Sequence, residues 1–279
     1  EEYLQHYVPL LPAAWLRGLA RSFSRRQCNV VDTVVVPSSA MADRLTRYGV
    51  ATPLAILPTG IPLARFARGN GAAFRASLGI PPEHPLALFV GRVAHEKNIG
   101  FLLDAFARAH QRCPEALLLV TGEGPAMESL RQKATRLGLA DSVRFLGYLD
   151  RASALPDCYA AADLFVFASR TETQGLVLLE ALAAGTPVVA LSAMGTADIL
   201  AHAPGCIAPP DDPQAFGEVV GKLLADPAAC LELAGQARNT AALWSDEAMA
   251  GRLAQLYRQT LAKREKSGTL AVQTSAAES

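Results

Sequence analysis

The sequence predicts an α/β fold in which a parallel β-sheet is covered by helices on both faces. Short apolar runs that are typical of buried strands recur between residues 86 and 190, and helical stretches separate them. A chain that alternates strand and helix in this way builds a parallel sheet, because each helix carries the chain back across one face. With 279 residues and a hydrophobic content of 51%, the chain can bury one large core or two smaller ones.

The first predicted element is an amphipathic helix over residues 9–26. Trp15, Leu19 and Phe23 are spaced four apart and form one stripe, and arginines form the opposite stripe. Two interpretations stay open. The helix either buries its apolar stripe against the rest of the protein or lies on a membrane surface.

A short β-α-β segment is predicted next. Its strands are residues 33–36 and 54–57. The helix between them covers residues 39–48, with Ser39 as its cap and Gly49 as its end. Residues 58–68 are rich in turn-forming residues and are typical of a linker.

The regular part of the chain follows. Its strands are predicted at residues 86–90, 116–121, 143–146, 164–168 and 188–190. Its first helix is predicted to run from Asn98, as the cap, to Gln111. Further helices are predicted from Pro125 to Leu137 and from Leu176 to Ala184. Residues 213–262 carry three further helical stretches, and the small, polar tail from Lys263 is expected to be disordered.

Composition excludes several classes of function. The chain has 26 basic and 26 acidic residues, which argues against a nucleic-acid partner. The longest apolar stretch is interrupted by Glu180, Gly185 and Pro187, so no transmembrane helix is predicted. The five cysteines lie far apart, which indicates neither a disulfide framework nor a zinc site. A cytoplasmic setting is therefore expected, and no secretory leader is visible.

The loop after the strand at 86–90 has the first unusual composition. Gly91 permits a sharp turn, and Arg92 and Lys97 precede a predicted helix N-terminus. Cations at such a place favour an anion, and these two side chains suit a diphosphate. A solvated loop in which the cations pair with Glu96 is the alternative.

The loop after the next strand is Gly122-Glu123-Gly124-Pro125. It lacks the G-x-G-x-x-G spacing, so it does not predict a dinucleotide site.

The helix at 176–184 and the loop before it carry the most informative acids. Glu180 lies among apolar residues only, and a carboxylate in such a helix is costly unless it is hydrogen-bonded. A ligand that carries hydroxyls and phosphate would satisfy both Glu180 and the free amides at the helix start. A structural cap or a member of a buried ion pair is the alternative for Glu180. Glu172 lies in the loop and can reach another part of the same ligand, with an ordinary exposed acid as its alternative.

Other catalytic arrangements are not supported. The five histidines are scattered without metal-ligand spacing, and no G-x-S-x-G motif is present. No metal site and no hydrolase triad are predicted.

Taken together, these motifs resemble the retaining glycosyltransferases of family four, also called group 1. The resemblance covers residues 1–262 and rests on the Gly91 to Asn98 loop, the Gly122 to Pro125 loop and the E-x7-E pair of Glu172 and Glu180. It implies the GT-B fold, in which two Rossmann-like domains face each other and the C-terminal one binds a nucleotide-sugar.

The resemblance also implies roles for individual residues. Arg92 and Lys97 match the diphosphate-binding pair, Glu172 the acid that holds the sugar hydroxyls, and Glu180 the ribose ligand. Arg92, Lys97 and Glu172 are thus the expected catalytic residues, without a metal or cofactor. The expected donor-binding residues are Gly91, Arg92, Lys97, Gly122, Leu146, Tyr148, Glu172, Thr173, Gln174, Gly175, Leu176, Val177 and Glu180.

One departure from the family suggests the substrate. Gln174 stands where many members have an aromatic residue, and the local sequence Thr-Glu-Thr-Gln-Gly-Leu is similar to members that glycosylate diacylglycerol or related lipids. This implies UDP-glucose as donor and a lipid acceptor, with a carbohydrate acceptor as the alternative. It also implies a protein that attaches peripherally to the inner face of an anionic membrane.

The predicted organisation has four parts. Residues 1–58 resemble only the end of the acceptor domain, 59–242 the donor-binding domain, and 243–263 the helix that crosses back to the acceptor domain. Residues 264–279 are the expected disordered tail. We therefore expect an N-terminally truncated chain that binds the donor without transferring sugar by itself. A nucleotide-sugar-binding module without turnover and a GT-B sugar epimerase stay open as other functions.

Overall fold

The computed structural model describes the backbone of residues 13–201 and 203–277, and the side chains of residues 17–201 and 203–265. The chain divides into two compact units. One contains Glu1–Pro58 with Met249–Ser279, and the other contains Thr59–Ala248.

The smaller unit contains a two-stranded parallel sheet. Its elements are helix α1 (Ala13–Cys28), strand β1 (Val34–Val36), helix α2 (Ser39–Arg47) and strand β2 (Leu54–Ile56). The prediction that Ser39 caps α2 is wrong by one position, because the Ser38 hydroxyl accepts a hydrogen bond from the Met41 amide. Gly49 adopts φ +83°, which explains why the helix ends just before it.

Helix α1 does not bury the apolar stripe that the sequence indicated. Leu19 is 55% and Phe23 is 65% exposed, whereas the Arg21 guanidinium lies 5.5 Å from the centre of the Tyr48 ring. The side chain of Trp15 lies outside the described residues. Of the two interpretations, half-burial of this stripe is therefore wrong for the side chains that the structure describes.

The larger unit is built on a parallel sheet of six strands, whose order is β5-β4-β3-β6-β7-β8. The strands are β3 (Leu86–Val90), β4 (Leu117–Thr121), β5 (Val143–Gly147), β6 (Leu164–Phe167), β7 (Val188–Ala190) and β8 (Cys206–Ile207). All five neighbouring pairs are parallel. The predicted α/β class and its five strands are confirmed, and only the short edge strand β8 was not predicted.

Helices cover both faces of this sheet. They are α3 (Leu63–Phe66), α4 (Gly71–Ser77), α5 (Ile99–Arg112), α6 (Met127–Arg136), α7 (Ala154–Ala161), α8 (Leu176–Ala184), α9 (Gly195–Leu200), α10 (Pro213–Leu224) and α11 (Pro227–Ala242). The core includes every residue of β3 and β4, and all but the first two residues of α8 are buried. This matches the near-continuous apolar runs by which the strands were predicted.

The segment interpreted as a linker is structured. Helix α3 lies within residues 58–68, and its Phe66 is fully buried, as is the neighbouring Ile61. The Ile61 amide also donates to the Trp244 carbonyl at 3.0 Å. The burial of these two residues was not predicted, because single apolar residues between turns show no periodicity.

The last helix, α12 (Asp246–Ala277), is longer than expected. The prediction of a disordered tail is wrong for residues 264–277, which continue the helix. Eight of these fourteen residues are good helix formers (Ala, Arg, Glu, Lys, Leu or Gln), and proline is absent. Within the smaller unit, the hydroxyls of Thr33 and Thr260 lie 3.4 Å apart.

Two further observations concern membrane-spanning helices and disulfide bonds. None of the helices in the described part of the chain is both long and apolar enough to cross a bilayer. All five cysteines are free.

Candidate functional site

The crevice beside β3 and β6 is where the sheet places a ligand site. From β3 the chain moves outward through β4 and β5, and it then returns to the other side of β3 with β6. In an open parallel sheet, ligands bind outside the carboxyl ends of the strands at such a reversal of order. The loops that follow β3 and β6 are those in which the sequence showed unusual charges.

Side chain to backbone hydrogen bonds join these two loops. Asn98 Nδ2 donates to the Ala168 carbonyl at 3.1 Å. The Ser169 and Thr171 hydroxyls both donate to the Glu96 carbonyl, at 3.2 and 3.3 Å. Asn98 adopts φ +54° and does not cap α5 with its side chain, so its predicted role as a cap is wrong. Its amide holds the two loops in one arrangement instead.

The central contact of the crevice is a salt bridge. Lys97 Nζ donates to Glu172 Oε2 at 2.6 Å, and the two side chains are 22% and 20% exposed. Arg92 lies 3.6 Å from Glu96 and is 56% exposed. The structure therefore brings together three of the predicted residues on two loops, and each cation is balanced by an acid.

Gly122 allows the loop after β4 to approach the loop after β3. Its φ is +123°, and a Cβ atom at this position would lie 1.9 Å from the Gly91 carbonyl oxygen. Only glycine fits so close an approach of two backbones. The second glycine of the motif, Gly124, meets the Val93 carbonyl in the same way, at 2.3 Å.

An open cleft of about 350 Å³ lies between these loops and the loop after β5. Its walls include Gly91, Arg92, Gly122, Tyr148 and Arg151. Tyr148 is 67% exposed, so its ring is available to a ligand. The neighbouring Leu146 is only half-buried and packs against the core.

Glu180 is completely buried in the middle of α8. Its Oε2 accepts a hydrogen bond from the Tyr159 hydroxyl at 2.9 Å, and its Oε1 accepts one from Arg151. Burial raises the pKa of Glu180, while the charge of Arg151, the hydrogen bond from Tyr159 and the charge of Arg65 oppose that rise. The carboxylate thus belongs to a buried ion pair, the alternative considered from the sequence, and its predicted contact with ribose stays a prediction.

The start of α8 adjoins the Glu172 loop. Gly175 has φ +83° and Leu176 and Val177 are half-buried. The Gly195 amide of α9 donates to the Glu172 carbonyl at 2.8 Å. A Cβ atom at Gly195 would lie 2.2 Å from the Thr173 carbonyl oxygen, so this loop and α9 are in close backbone contact.

Gln174 forms a hydrogen bond within the larger unit. Its Nε2 donates to the Thr59 carbonyl at 3.2 Å, so its amide is engaged within the protein. In the described residues, no group of three or more His, Cys, Asp or Glu side chains is arranged to hold a metal ion.

The comparisons with known proteins agree with this geometry. The pattern of the family "Glycosyl transferases group 1" matches residues 71–241, and that of "Glycosyltransferase Family 4" matches residues 3–65. The first match spans more than half of the chain. The chain belongs to the group 1 glycosyltransferases. Its fold is that of the GT-B enzymes, as its structural neighbours show.

Curated relatives extend the comparison. The chain is 38% identical over 198 residues to the alpha-monoglucosyldiacylglycerol synthase of Streptococcus pneumoniae, which covers 68% of this chain and 44% of that protein. It is 35% identical over 237 residues to a D-inositol 3-phosphate glycosyltransferase of Segniliparus rotundus, covering 82% of this chain and 53% of that protein. This glycosyltransferase chain spans about half the length of these relatives.

Solved structures show the same fold. Anabaena Alr3699/HepE, solved in complex with UDP, superposes with a TM-score of 0.78 at 22% identity over 87% of this chain and 68% of that chain. The sucrose-phosphate synthase of Thermosynechococcus elongatus gives a TM-score of 0.75 at 31% identity over 87% of this chain and 62% of that chain.

Sequence reasoning missed two partners of Glu180. Arg151 and Tyr159 precede it by 29 and 21 positions, on a loop and a helix that the sequence did not link to α8. The one available signal was Tyr159 itself, because a tyrosine in a buried helix requires a partner for its hydroxyl.

Proposed function

We propose that this chain binds a nucleotide-sugar, UDP-glucose or a close analogue, in the crevice beside β3 and β6. The observation that carries the proposal is the Lys97–Glu172 salt bridge next to Arg92, in a member of the group 1 glycosyltransferases. An ion pair on the two loops where the sheet order reverses supplies a cation for a diphosphate and, once a ligand separates the pair, an acceptor for sugar hydroxyls.

Each predicted residue has a place in this proposal. Arg92 and Lys97 bind the diphosphate, together with the amides of Gly175, Leu176 and Val177 at the start of α8. Glu172 accepts hydrogen bonds from the sugar, and Glu180 accepts them from the ribose. The base packs near Leu146 and Tyr148, whose exposed ring offers a stacking surface.

The proposed reaction, to which this chain contributes the donor-binding site, is sugar transfer with retention of configuration. The acceptor hydroxyl oxygen forms a bond to the anomeric carbon on the face from which the diphosphate leaves, and its proton passes to the departing diphosphate. Arg92 and Lys97 stabilise the negative charge that develops there, so the proposal requires no metal ion.

We propose a lipid acceptor at a membrane surface. Two relatives support it. One is the alpha-monoglucosyldiacylglycerol synthase of Streptococcus pneumoniae. The other is the GDP-mannose-dependent phosphatidylinositol monomannoside mannosyltransferase of Mycolicibacterium smegmatis, 33% identical over 78% of this chain and 60% of that protein. The exposed Leu19 and Phe23 of α1 would contact the cytoplasmic leaflet.

Calorimetry with UDP, UDP-glucose, GDP-mannose and uridine tests the proposal. We expect UDP and UDP-glucose to bind more tightly than uridine. The proposal fails if no nucleoside diphosphate binds. Product analysis with donor alone, and then with diacylglycerol or a sugar acceptor, separates the three activities. An epimerase converts the donor alone, a transferase needs the acceptor, and a binding module leaves the donor unchanged.

A further inference from the structure

The two partners of the Glu180 carboxylate differ in their freedom to move. Tyr159 is fully buried and its ring packs edge-on against Phe66, with centroids 5.7 Å apart. The Arg151 side chain is 56% exposed although it pairs with a carboxylate that is 0% exposed. A ligand can therefore displace Arg151 from Glu180, whereas Tyr159 has no space to leave.

The loop before α7 presents Arg151 at the edge of the cleft. The Asp150 carboxylate accepts hydrogen bonds from the Ala152 and Ser153 amides, at 3.0 and 2.9 Å, and from the Ser153 hydroxyl at 2.7 Å. This turn fixes the backbone on either side of Arg151. The guanidinium then reaches both Glu180 and the cleft wall that it shares with Arg92 and Gly122.

We infer that Arg151 is an exchangeable counter-ion: the ribose of a bound nucleotide takes its place on Glu180, and the freed guanidinium turns to the phosphates in the same cleft. This inference rests on the proposed function, because it requires a nucleotide in the cleft. It assigns to Arg151 a role in selecting nucleoside diphosphates over nucleosides.

The exchange keeps every buried group partnered. A buried carboxylate without a partner is strongly destabilising, so Glu180 needs a hydrogen-bond donor in both states. In the free protein Arg151 supplies it. In the complex, ribose hydroxyls supply it, while the Tyr159 hydrogen bond remains and the charge of Arg65 still acts on Glu180.

The exchange also explains a preference for phosphate. A nucleoside must break the Arg151–Glu180 pair, and it has no phosphate that could bind the released guanidinium. A nucleoside diphosphate offers phosphate oxygens, which a guanidinium binds with two parallel hydrogen bonds. The ribose of the nucleotide thus breaks the ion pair, and its diphosphate binds the guanidinium that this releases.

The test compares uridine and UDP binding by calorimetry in the wild-type chain and in Arg151→Gln. We expect uridine to bind at least as tightly to the variant, because no ion pair must be broken. UDP should bind about tenfold more weakly, because the variant lacks one charge-assisted hydrogen bond to the diphosphate. The UDP-to-uridine affinity ratio therefore falls. Arg112→Gln is the control, since Arg112 is exposed at the C-terminal end of α5, and it should leave the ratio unchanged.

Every other result overturns the inference. Equal changes for uridine and UDP would mean that Arg151 only holds Glu180 in position, and weaker uridine binding would mean that Arg151 contacts the nucleoside directly. If thermal unfolding shows that Arg151→Gln does not fold, Arg151→Lys decides. Lysine keeps the charge but lacks the planar fork, so we expect a smaller fall in the ratio, and an unchanged ratio contradicts the exchange. A wild-type chain that binds no UDP refutes the proposed function instead.

Discussion

Lys97 and Glu172 lie 75 residues apart in the sequence, and their side chains meet at 2.6 Å across the two loops where the order of the sheet reverses. In the proposed complex, the diphosphate would compete with Glu172 for Lys97, and the sugar hydroxyls would compete with Lys97 for Glu172. Mutations of the two residues should therefore have opposite effects on the affinity for UDP.

Lys97→Ala should weaken UDP binding about tenfold or more, because it removes a charge-assisted contact to the diphosphate. Uridine, which lacks the diphosphate, should bind almost unchanged, and added salt should weaken UDP binding to the wild type. Arg92→Ala should act in the same direction. Calorimetry with both ligands measures the difference, and equal losses for UDP and uridine would count against a diphosphate role.

Arg108→Ala is the matched control for this experiment. Arg108 also forms a salt bridge, with Glu218 at 3.1 Å, but this pair joins α5 to α10, and Arg108 lies ten residues after Asn98. We expect no change in UDP affinity from it. A comparable loss would show that Lys97→Ala acts through general stability or net charge.

Glu172→Gln should distinguish the role of Glu172 from that of Lys97. It removes the competitor for Lys97, so UDP should bind as well as before or more tightly. The additional affinity of UDP-glucose over UDP should decrease, because the neutral amide of glutamine is a weaker acceptor for sugar hydroxyls than a carboxylate. Weaker binding of UDP itself would contradict the assignment of Glu172 to the sugar.

The buried charge of Glu180 should make stability depend on pH. Burial raises its pKa in the folded protein, against the effects of Arg151, Tyr159 and Arg65, from an ordinary value of 4.5. Between 4.5 and that raised value the folded state binds a proton that the unfolded state has lost. The free energy of unfolding of the wild type, relative to Glu180→Gln, should therefore fall as pH rises through this window.

Urea unfolding of both proteins across a pH series measures this difference. Glutamine is the appropriate replacement, because alanine leaves the Tyr159 hydroxyl unpaired in the core at a cost of about 1 to 3 kcal/mol. A difference that is constant or increases with pH would show that the Glu180 pKa is not raised.

Much of the fold could be predicted because its signals are local. Strands β3, β4, β6 and β7 are almost entirely apolar, and α8 is apolar at every position except Glu180, so burial on every side is visible in the sequence. Helices α4 and α9 and strand β8 were missed because seven, six and two residues are too few to show a period.

The site could be predicted only as far as the sheet edge. Loops after parallel strands meet at one edge, which is sufficient to expect Arg92, Lys97 and Glu172 in the same crevice. The pairing of Glu180 with Arg151 depends on how α7 packs on α8, and no spacing in the sequence encodes that distance. For the same reason the sequence left both a ligand and an ion pair open as partners for this acid.

The exposed stripe of α1 should attach the chain weakly to anionic vesicles. Leu19→Ser with Phe23→Ser removes the apolar contact, and changing Arg17, Arg21, Arg25 and Arg26 to Ser removes charges worth about 1 kcal/mol each near an anionic surface. Both variants should lower co-sedimentation with vesicles that contain phosphatidylglycerol, and salt should lower it for the wild type.

The control replaces two exposed leucines of the other unit. Leu231 and Leu243 are 72% and 58% exposed, so Leu231→Ser with Leu243→Ser removes exposed apolar side chains that do not belong to α1. We expect unchanged co-sedimentation. If neither α1 variant differs from this control, α1 does not contact the membrane.

Gly122→Ala should damage both stability and binding, because the Cβ atom would lie 1.9 Å from the Gly91 carbonyl oxygen. The loops after β3 and β4 would have to separate, at a cost of about 3 kcal/mol or more.

Gly138→Ala provides the comparison, since Gly138 also has a positive φ of +73° but no atom within 4 Å of the added carbon. Backbone strain alone should cost it about 1 kcal/mol. UDP affinity should fall only in Gly122→Ala, whose carbon faces the cleft wall at Gly91 and Arg92. Equal losses of stability in the two variants, measured by urea unfolding, would mean that strain and not the contact between loops requires glycine at position 122.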